Sequence, residues 1–331
     1  MTFFPKKLII YTSFEQNIRK IQIWSVKIMS IRTDLALETH HHFTEKAENL
    51  SGVKVTDKSV RDIEITQVTI ETEEAAEKMG KPIGNYITIH TPDLRYIDKN
   101  LYEKICHQIA NEIKELIDDD VDKPILIIGL GNRAITSDSL GPQVTDRLVV
   151  TRHLFSHAPE MLSANYASVC AVSPGVLGIT GIETEEIVSA LCEKVRPCAV
   201  IVVDALAARN IDRITKTIQI CDTGINPGAG VGNNRREISQ RTLGVPVIAV
   251  GVPTVVDAVT IAKDTLGSAL NDTDADMIFN SGKIPQEILN FTTTPKEIDI
   301  LIKKSAEVVA NGINFALHDN ITFEDIDIFI N

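Results

Sequence analysis

The sequence is short of several features that would place it in a familiar class. It has five cysteines, Cys106, Cys170, Cys192, Cys198 and Cys221, an odd number with no pair at CxxC spacing. That count and spacing give no support to a secreted disulfide framework or a cysteine zinc site. Cys170 and Cys198 sit in apolar runs and read as buried free thiols. No apolar stretch reaches the length of a transmembrane helix. The first 28 residues are basic, but Ser13, Glu15, Gln16 and Asn17 break the apolar residues too early for a signal-peptide core. A cytoplasmic protein is therefore expected, with Met29, where MSIRTDLALE opens a new sequence character, as a candidate start. Basic residues are also in deficit: 33 Lys and Arg against 45 Asp and Glu give a net charge of -12. Such a surface repels phosphate backbones and argues against nucleic-acid binding as the main role. There is no internal repeat.

What is present fits a soluble globular chain: 331 residues, 44% hydrophobic and 24% charged. Residues 30–60 are polar and turn-rich, and His40, His41 and His42 read as an exposed run whose neighbours point different ways. Apolar alternation over Asp62–Ile70 and Tyr86–His90 predicts two strands. Leu101, Ile105, Ile109, Ile113, Leu116 and Ile117 follow helical spacing, which predicts an amphipathic helix over 98–119. Ile125–Ile128 and Ala199–Val203 are continuous apolar runs, the pattern of strands buried on both faces of a parallel sheet. Ala167–Val172, Thr217–Cys221 and Val245–Val250 add strands. Thr184–Val195, Thr254–Lys263 and the last section from about 295 read as helical. Alternating strands and helices predict an α/β fold with a mainly parallel sheet flanked by helices. Sites in such sheets lie beyond the carboxyl ends of strands.

Three candidates fall there. Gly129-Leu130-Gly131-Asn132 closes the first buried run, but the third glycine of a dinucleotide fingerprint is missing, so a catalytic loop is favoured over a nucleotide site. Its plainer use is a tight turn exploiting glycine's backbone freedom. Asp138, in Ser137-Asp138-Ser139-Leu140, is either a helix cap or a working carboxylate. Asp204 ends the run Val200–Val203, where a carboxylate must meet water, a donor, a cation or another carboxyl. Two such aspartates brought together would share a proton, one serving as acid and the other as base towards a peptide bond. His153 and His157 read as structural or as bonding a loop carbonyl, and Arg152 as serving an internal ion pair or a substrate carboxylate. Asn226–Ser239 is a Gly/Asn-rich loop that either borders the cleft or a subunit contact, or is a plain turn.

Longer motifs carry a resemblance. RTDLALE at 32–38, GKPIGNYITI at 80–89, GLGNRAITSDSLGP at 129–142, VTRHLF at 150–155 and AVSPGVLGITGIET at 171–184 occur in that order. VVDALAAR at 202–209, NPGAGVGNNRREIS at 226–239 and GVPTVVDA at 251–258 extend them. Together they resemble the germination proteases of spore-forming bacteria from about residue 30 to the end. The resemblance implies an atypical aspartic endopeptidase of the developing spore and spore core. It implies a substrate, the small acid-soluble proteins that coat spore DNA, and a homotetrameric zymogen that trims its own N-terminus. The family's two implicated aspartates match Asp138 and Asp204, and the implied fold is similar to hydrogenase maturation endopeptidases. Those enzymes bind nickel through acidic residues and a His. Here the one His after Asp204 is His318, so no metal and no cofactor are expected.

The organisation that follows is an N-terminal extension and propeptide over 1–34 and a single protease domain over 35–331. In the family the cut bond follows an acidic residue and precedes an apolar one, and Asp34-Leu35-Ala36-Leu37-Glu38 imitates that pattern, which predicts cleavage between Asp34 and Leu35. The rival readings are a metal-dependent maturation-type endopeptidase and a nucleotide- or anion-binding module using Gly129, Gly131 and Asn132.

Overall fold

The structure is a computed structural model that describes residues 33–45, 50–60, 63–117, 123–162, 166–228, 235–269 and 291–330. The basic segment 1–28, Met29 and the middle of the Gly/Asn-rich loop (229–234) lie outside the described residues. The strands are β1 (Val53–Val60), β2 (Ile63–Ile70), β3 (Gly84–His90), β4 (Ile125–Gly129), β5 (Val169–Val172), β6 (Ala199–Ala208), β7 (Thr217–Cys221), β8 (Val247–Asp257) and β9 (Thr292–Thr293). They form one mixed sheet in the order β1-β2-β3-β7-β8-β6-β4-β5, with β9 paired to β8. The longer helices are α1 (Ala36–Glu45), α2 (Lys99–Lys114), α3 (Thr184–Val195), α4 (Ala258–Ala269), α5 (Ile298–Leu317) and α6 (Phe323–Ile330).

The continuous apolar runs become the middle of the sheet, as their two-sided burial requires. β5, β4, β6 and β8 run parallel to one another, and every residue of β4 is buried. An antiparallel wing, β7-β3-β2-β1, extends this parallel core on the far side of β8. The α/β class expected from the sequence thus holds.

Alternation along each strand feeds two layers. Alternate residues such as Ile127, Ile201 and Ile220 face a core closed by α2 and α5, with Ile109, Ile113, Val309 and Ile313 among its members. On the opposite face, Leu126, Ile128, Val200 and Val202 pack with Val188 and Cys192 of α3. Further along that second face, Leu35 joins Leu206, Ala208, Ile214 and Val256 in one buried cluster, and Ala36 and Leu37 join Val68, Ile70 and Tyr86 in another.

Three local expectations are corrected. Residues 30–60 are not simply exposed and turn-rich. Leu35, Ala36 and Leu37 are buried, α1 carries the three histidines, and β1 pairs with β2 along its length. Tertiary burial of a short apolar triplet overrides the polar average of the segment. Cys170 and Cys198 are only partly buried, with each thiol beside a backbone carbonyl at 3.6–3.7 Å, whereas Cys106, Cys192 and Cys221 are buried. Asp204 does not end its strand: β6 runs on to Ala208 because β8 also continues and pairs with it there. What ends near Asp204 is the neighbouring β4, whose last residue Gly129 pairs with Val203.

Candidate active site

The end of β4 is where the sheet changes direction. The strand that follows β4 in the chain, β5, lies on one side of it, and the next, β6, lies on the other. This reversal opens a crevice beyond the carboxyl ends of the parallel strands, the usual place for a site in such sheets. A cleft of about 290 Å³ lies there. Its lining includes Asp138 from the β4 loop, Asp204 from β6 and Asp34 from the segment ahead of α1.

The β4 loop is built to hold Asp138. Gly131 has φ +114, and a Cβ there would lie 2.0 Å from the Asp138 carbonyl oxygen, so only glycine permits the close approach. Gly129 and Gly141 interlock in the same way: a Cβ on Gly129 would lie 2.3 Å from the Gly141 carbonyl oxygen. The Asn132 N–H donates to Asp138 Oδ2 at 2.8 Å, and Thr254 Oγ1 donates to the Ser137 carbonyl at 2.7 Å. The glycines that suggested a phosphate cradle are therefore used in packing the loop and presenting a carboxylate.

Asp204 is 6% exposed, and its Oδ1 accepts the Ala205 N–H at 2.9 Å. Burial, then the nearby carboxylates of Asp138 and Asp34, hold its carboxyl well above the usual aspartate value. Burial also raises Asp138, and the Asn132 N–H opposes that rise by favouring the ionised form. Each acid accepts one backbone N–H, and what differs is the surroundings: Asp204 is deeply enclosed beside other carboxylates, and Asp138 is less buried.

The structure brings Asp34 to the same cleft and buries Leu35 next to it in the cluster with Leu206, and the means are specific. The pairing of β6 with β8 shifts register between Leu206 and Ala207. At that irregularity the Asp34 N–H donates to the Ala207 carbonyl at 2.9 Å, and the Ala207 N–H donates to Asp34 Oδ2 at 2.8 Å. Lys81 Nζ donates to the Asp34 carbonyl at 2.9 Å, and Gln219 Nε2 donates to the same oxygen at 3.1 Å. Downstream, Glu38 accepts the N–H groups of Arg209 at 2.7 Å and Asn210 at 2.8 Å, and it also accepts the hydroxyl of Thr33. Residues 33–38 are laid across the second face of the sheet as a strap with Asp34 in the acid-lined cleft.

Several candidates fall elsewhere. His153, His157 and Arg152 are exposed on a short helix, Arg152–His157. His318 is buried, with Nε2 3.0 Å from the Val149 carbonyl oxygen and its ring against Tyr166. The described lining of the cleft includes no histidine or cysteine, so an imidazole-dependent nickel site does not fit its donor set. Pro227, Gly228 and Arg235 place the described ends of the Gly/Asn-rich loop on the cleft wall. Glu38 carries a sequence signal only as the last residue of the processing pattern, and Gln219 only as a polar residue inside the apolar run Thr217–Cys221; Lys81 has none.

An α/β protein with an acid-lined cleft at its topological switch point is the class that fold and site define. The comparisons make it particular. The sequence profile of the family described as germination protease matches residues 31–281. The chain belongs to the germination protease family and is a peptidase. It is 43% identical over 323 residues to the germination protease of Clostridium perfringens, covering 91% of this chain and 99% of that one. It is 45% identical over 319 residues to that of Caldanaerobacter subterraneus subsp. tengcongensis, covering 91% and 98%. The Bacillus cereus protein is 40% identical over 348 residues, covering 88% and 95%. Among solved structures, the [NiFe] hydrogenase maturation protease HycI of Thermococcus kodakarensis aligns with a TM-score of 0.34 and 17% identity, over 62% of this chain and 98% of that one.

Proposed function

We propose that this chain is an aspartic-type endopeptidase of spore germination, made as a zymogen that cuts its own Asp34–Leu35 bond and then degrades small acid-soluble spore proteins. The observation that carries the reading is the placement of Asp34 in one cleft with Asp138 and Asp204. The precursor's own cleavage sequence is seated where the candidate catalytic pair lies, at an effective concentration no free substrate matches. The strap thereby keeps the precursor quiet until it is cut.

The chemistry follows from the two environments. Asp204, enclosed and flanked by carboxylates, holds a proton; Asp138, the less buried of the two, holds the charge. Asp138 takes a proton from water as the water oxygen bonds to the Asp34 carbonyl carbon. As the carbon–nitrogen bond breaks, Asp204 gives its proton to the departing Leu35 amine. The products are a carboxylate at Asp34 and a new N-terminus at Leu35, and the pair titrates as a unit over the cycle.

The acidic surface fits a protein substrate better than nucleic acid. Among the described residues no helix is long and apolar enough to cross a membrane. The proposal includes the cytoplasm of the developing spore and the spore core as the site of action, and a homotetramer as the assembly, which sedimentation would check. The reading is tested by incubating the purified precursor, sequencing the new N-terminus, and then adding a small acid-soluble spore protein. Leucine as the first residue and cleavage of the added protein are expected. A precursor that never converts and never cuts the added protein would refute it.

A further inference from the structure

A second cavity, of about 90 Å³, shares Asp34 and Leu206 with the acidic cleft. Lys81 and Gln219 line only the second. Asp34 thus borders both the aspartates of the cleft and the two donors to its own carbonyl.

We propose that Lys81 and Gln219 are catalytic residues that form the electrophilic clamp for the scissile carbonyl, stabilising the negative charge that develops on the Asp34 oxygen during attack. The inference rests on the reading that Asp34–Leu35 is the bond cut.

Both donors are already aimed at the atom on which charge develops: in the resting peptide Lys81 Nζ is 2.9 Å and Gln219 Nε2 is 3.1 Å from the one oxygen. Gln219 is held in register by its other end, since its Oε1 accepts the Ala36 N–H at 2.8 Å. That bond settles which end of the amide faces Asp34. The amide therefore spans the scissile bond, donating before it and accepting after it.

The sheet explains why the clamp and the acids oppose one another. Asp204 of β6 pairs with Gly251 of β8, and Gly251 pairs with Gln219 of β7. Asp204 and Gln219 stand on the same face two strands apart, about 10 Å between backbones at roughly 4.8 Å per strand. The residue between them has no side chain, and Leu206 fills the space above it: a Cβ at Gly251 would lie 2.5 Å from that side chain. Leu206 in turn packs with Leu35 of the strap.

Lys81 is suited to the task. Burial favours its neutral form, while Asp34, Cys221 and Glu38 favour the ammonium. A poorly hydrated ammonium is stabilised when a new negative charge appears in contact with it. The step balances without a co-reactant. Water adds to the carbonyl carbon, its proton passes to the Asp138 carboxylate, and the carbonyl electron pair moves onto the oxygen held by Lys81 and Gln219. That pair returns to rebuild the C=O bond as the bond to nitrogen breaks and Asp204 protonates the amine.

The test uses the full-length precursor and reads the first-order rate of its conversion, together with the mass of the product and hydrogen exchange of the Asp34 amide, which donates to the Ala207 carbonyl. Lys81→Met should slow conversion by on the order of 100-fold, the loss typical of one oxyanion donor. Gln219→Ala should slow it in the same sense, and Lys81→Arg should recover part of the rate. In each case the Asp34 amide should stay protected, because the strap remains docked on Ala207. If Lys81→Met does not fold, Gln219→Ala decides. Wild-type rates in the folded variants overturn the clamp. Slow conversion with a freely exchanging Asp34 amide also overturns it, because the residues then only dock the strap. A wild-type product beginning elsewhere than Leu35 overturns the cleavage reading, and the clamp with it.

Discussion

Glu38→Ala is the most informative perturbation of the strap. Glu38 is 5% exposed and holds two backbone N–H groups, the Thr33 hydroxyl and, at 3.5 Å, the Arg213 guanidinium. Alanine removes every one of these acceptors while leaving the helix former that α1 needs. An orphaned buried donor costs about 1–3 kcal/mol. Two backbone donors are orphaned here, but Arg209 and Asn210 are only partly shielded, so water recovers some of the loss. The expected destabilisation is about 2–4 kcal/mol, the lower part of that range taken twice. Glu38→Gln keeps one oxygen acceptor and should cost about half as much. Urea unfolding of the two variants gives the magnitude from the midpoint shift at constant slope. Hydrogen exchange at Arg209 and Asn210 gives the location. The same substitution should slow self-processing, since Asp34 loses its downstream anchor. A Glu38→Ala protein within about 0.5 kcal/mol of wild type, the scatter of neutral surface changes, with Arg209 and Asn210 exchanging as before, would refute the claim that this carboxylate fastens the strap.

Other outcomes follow from the same geometry. Asp204→Asn should raise stability at neutral pH: the folded pKa of Asp204 is raised, so its stability contribution is complete below the unfolded value of about 3.9 and is lost as pH rises through the folded value. The gap between variant and wild type should therefore open with increasing pH, by about 1.4 kcal/mol for each unit of displacement, and thermal melts from pH 3.5 to 8 would show it; a gap independent of pH would remove the buried-acid argument. Gly131→Ala should abolish conversion and cost at least about 1–3 kcal/mol of backbone strain, because the new Cβ meets the Asp138 carbonyl; a normal conversion rate would mean the loop does not set Asp138. Cys170→Ala and Cys198→Ala should keep full conversion rates with melting points near wild type, since both thiols are only partly buried; loss of turnover in a stable variant would revive a thiol mechanism.

Much of the framework is readable from residue type and order. Ile125–Ile128 and Ala199–Val203 are apolar without interruption, and they became central parallel strands because only a sheet covered on both faces buries such runs. Thr217–Cys221 and Thr184–Val195 agree end to end with the observed elements. β1 has no clear strand pattern in the sequence because Lys54, Asp57 and Lys58 interrupt its apolar residues. As the outermost strand it needs those charges to discourage further pairing, and its stability comes from β2. α1 has no clear pattern either, because the histidine run masks three buried residues at its start, and their burial depends on a sheet assembled from distant segments.

The site divides in the same way. Asp138 and Asp204 stand out because each follows a buried run, and acids so placed need a reason. Their meeting with Asp34 is a property of the topology: β4 and β6 are brought side by side, and the irregularity at Leu206/Ala207 frees a backbone pair for the strap. Lys81 and Gln219 have no spacing that links them. Each becomes meaningful only when β3, β7 and the strap are laid against one another, and the partner they share is a backbone oxygen rather than a side chain with a sequence signature.

The most direct test of the account is the conversion of three purified precursors, wild type, Asp138→Asn and Asp204→Asn, followed by intact mass and N-terminal sequencing. Asparagine keeps the shape of each acid and removes its proton chemistry. The account predicts a wild-type product beginning Leu-Ala-Leu-Glu-Thr and two folded variants that stay at full length. A folded Asp204→Asn precursor that cuts at Asp34–Leu35 at the wild-type rate would contradict it.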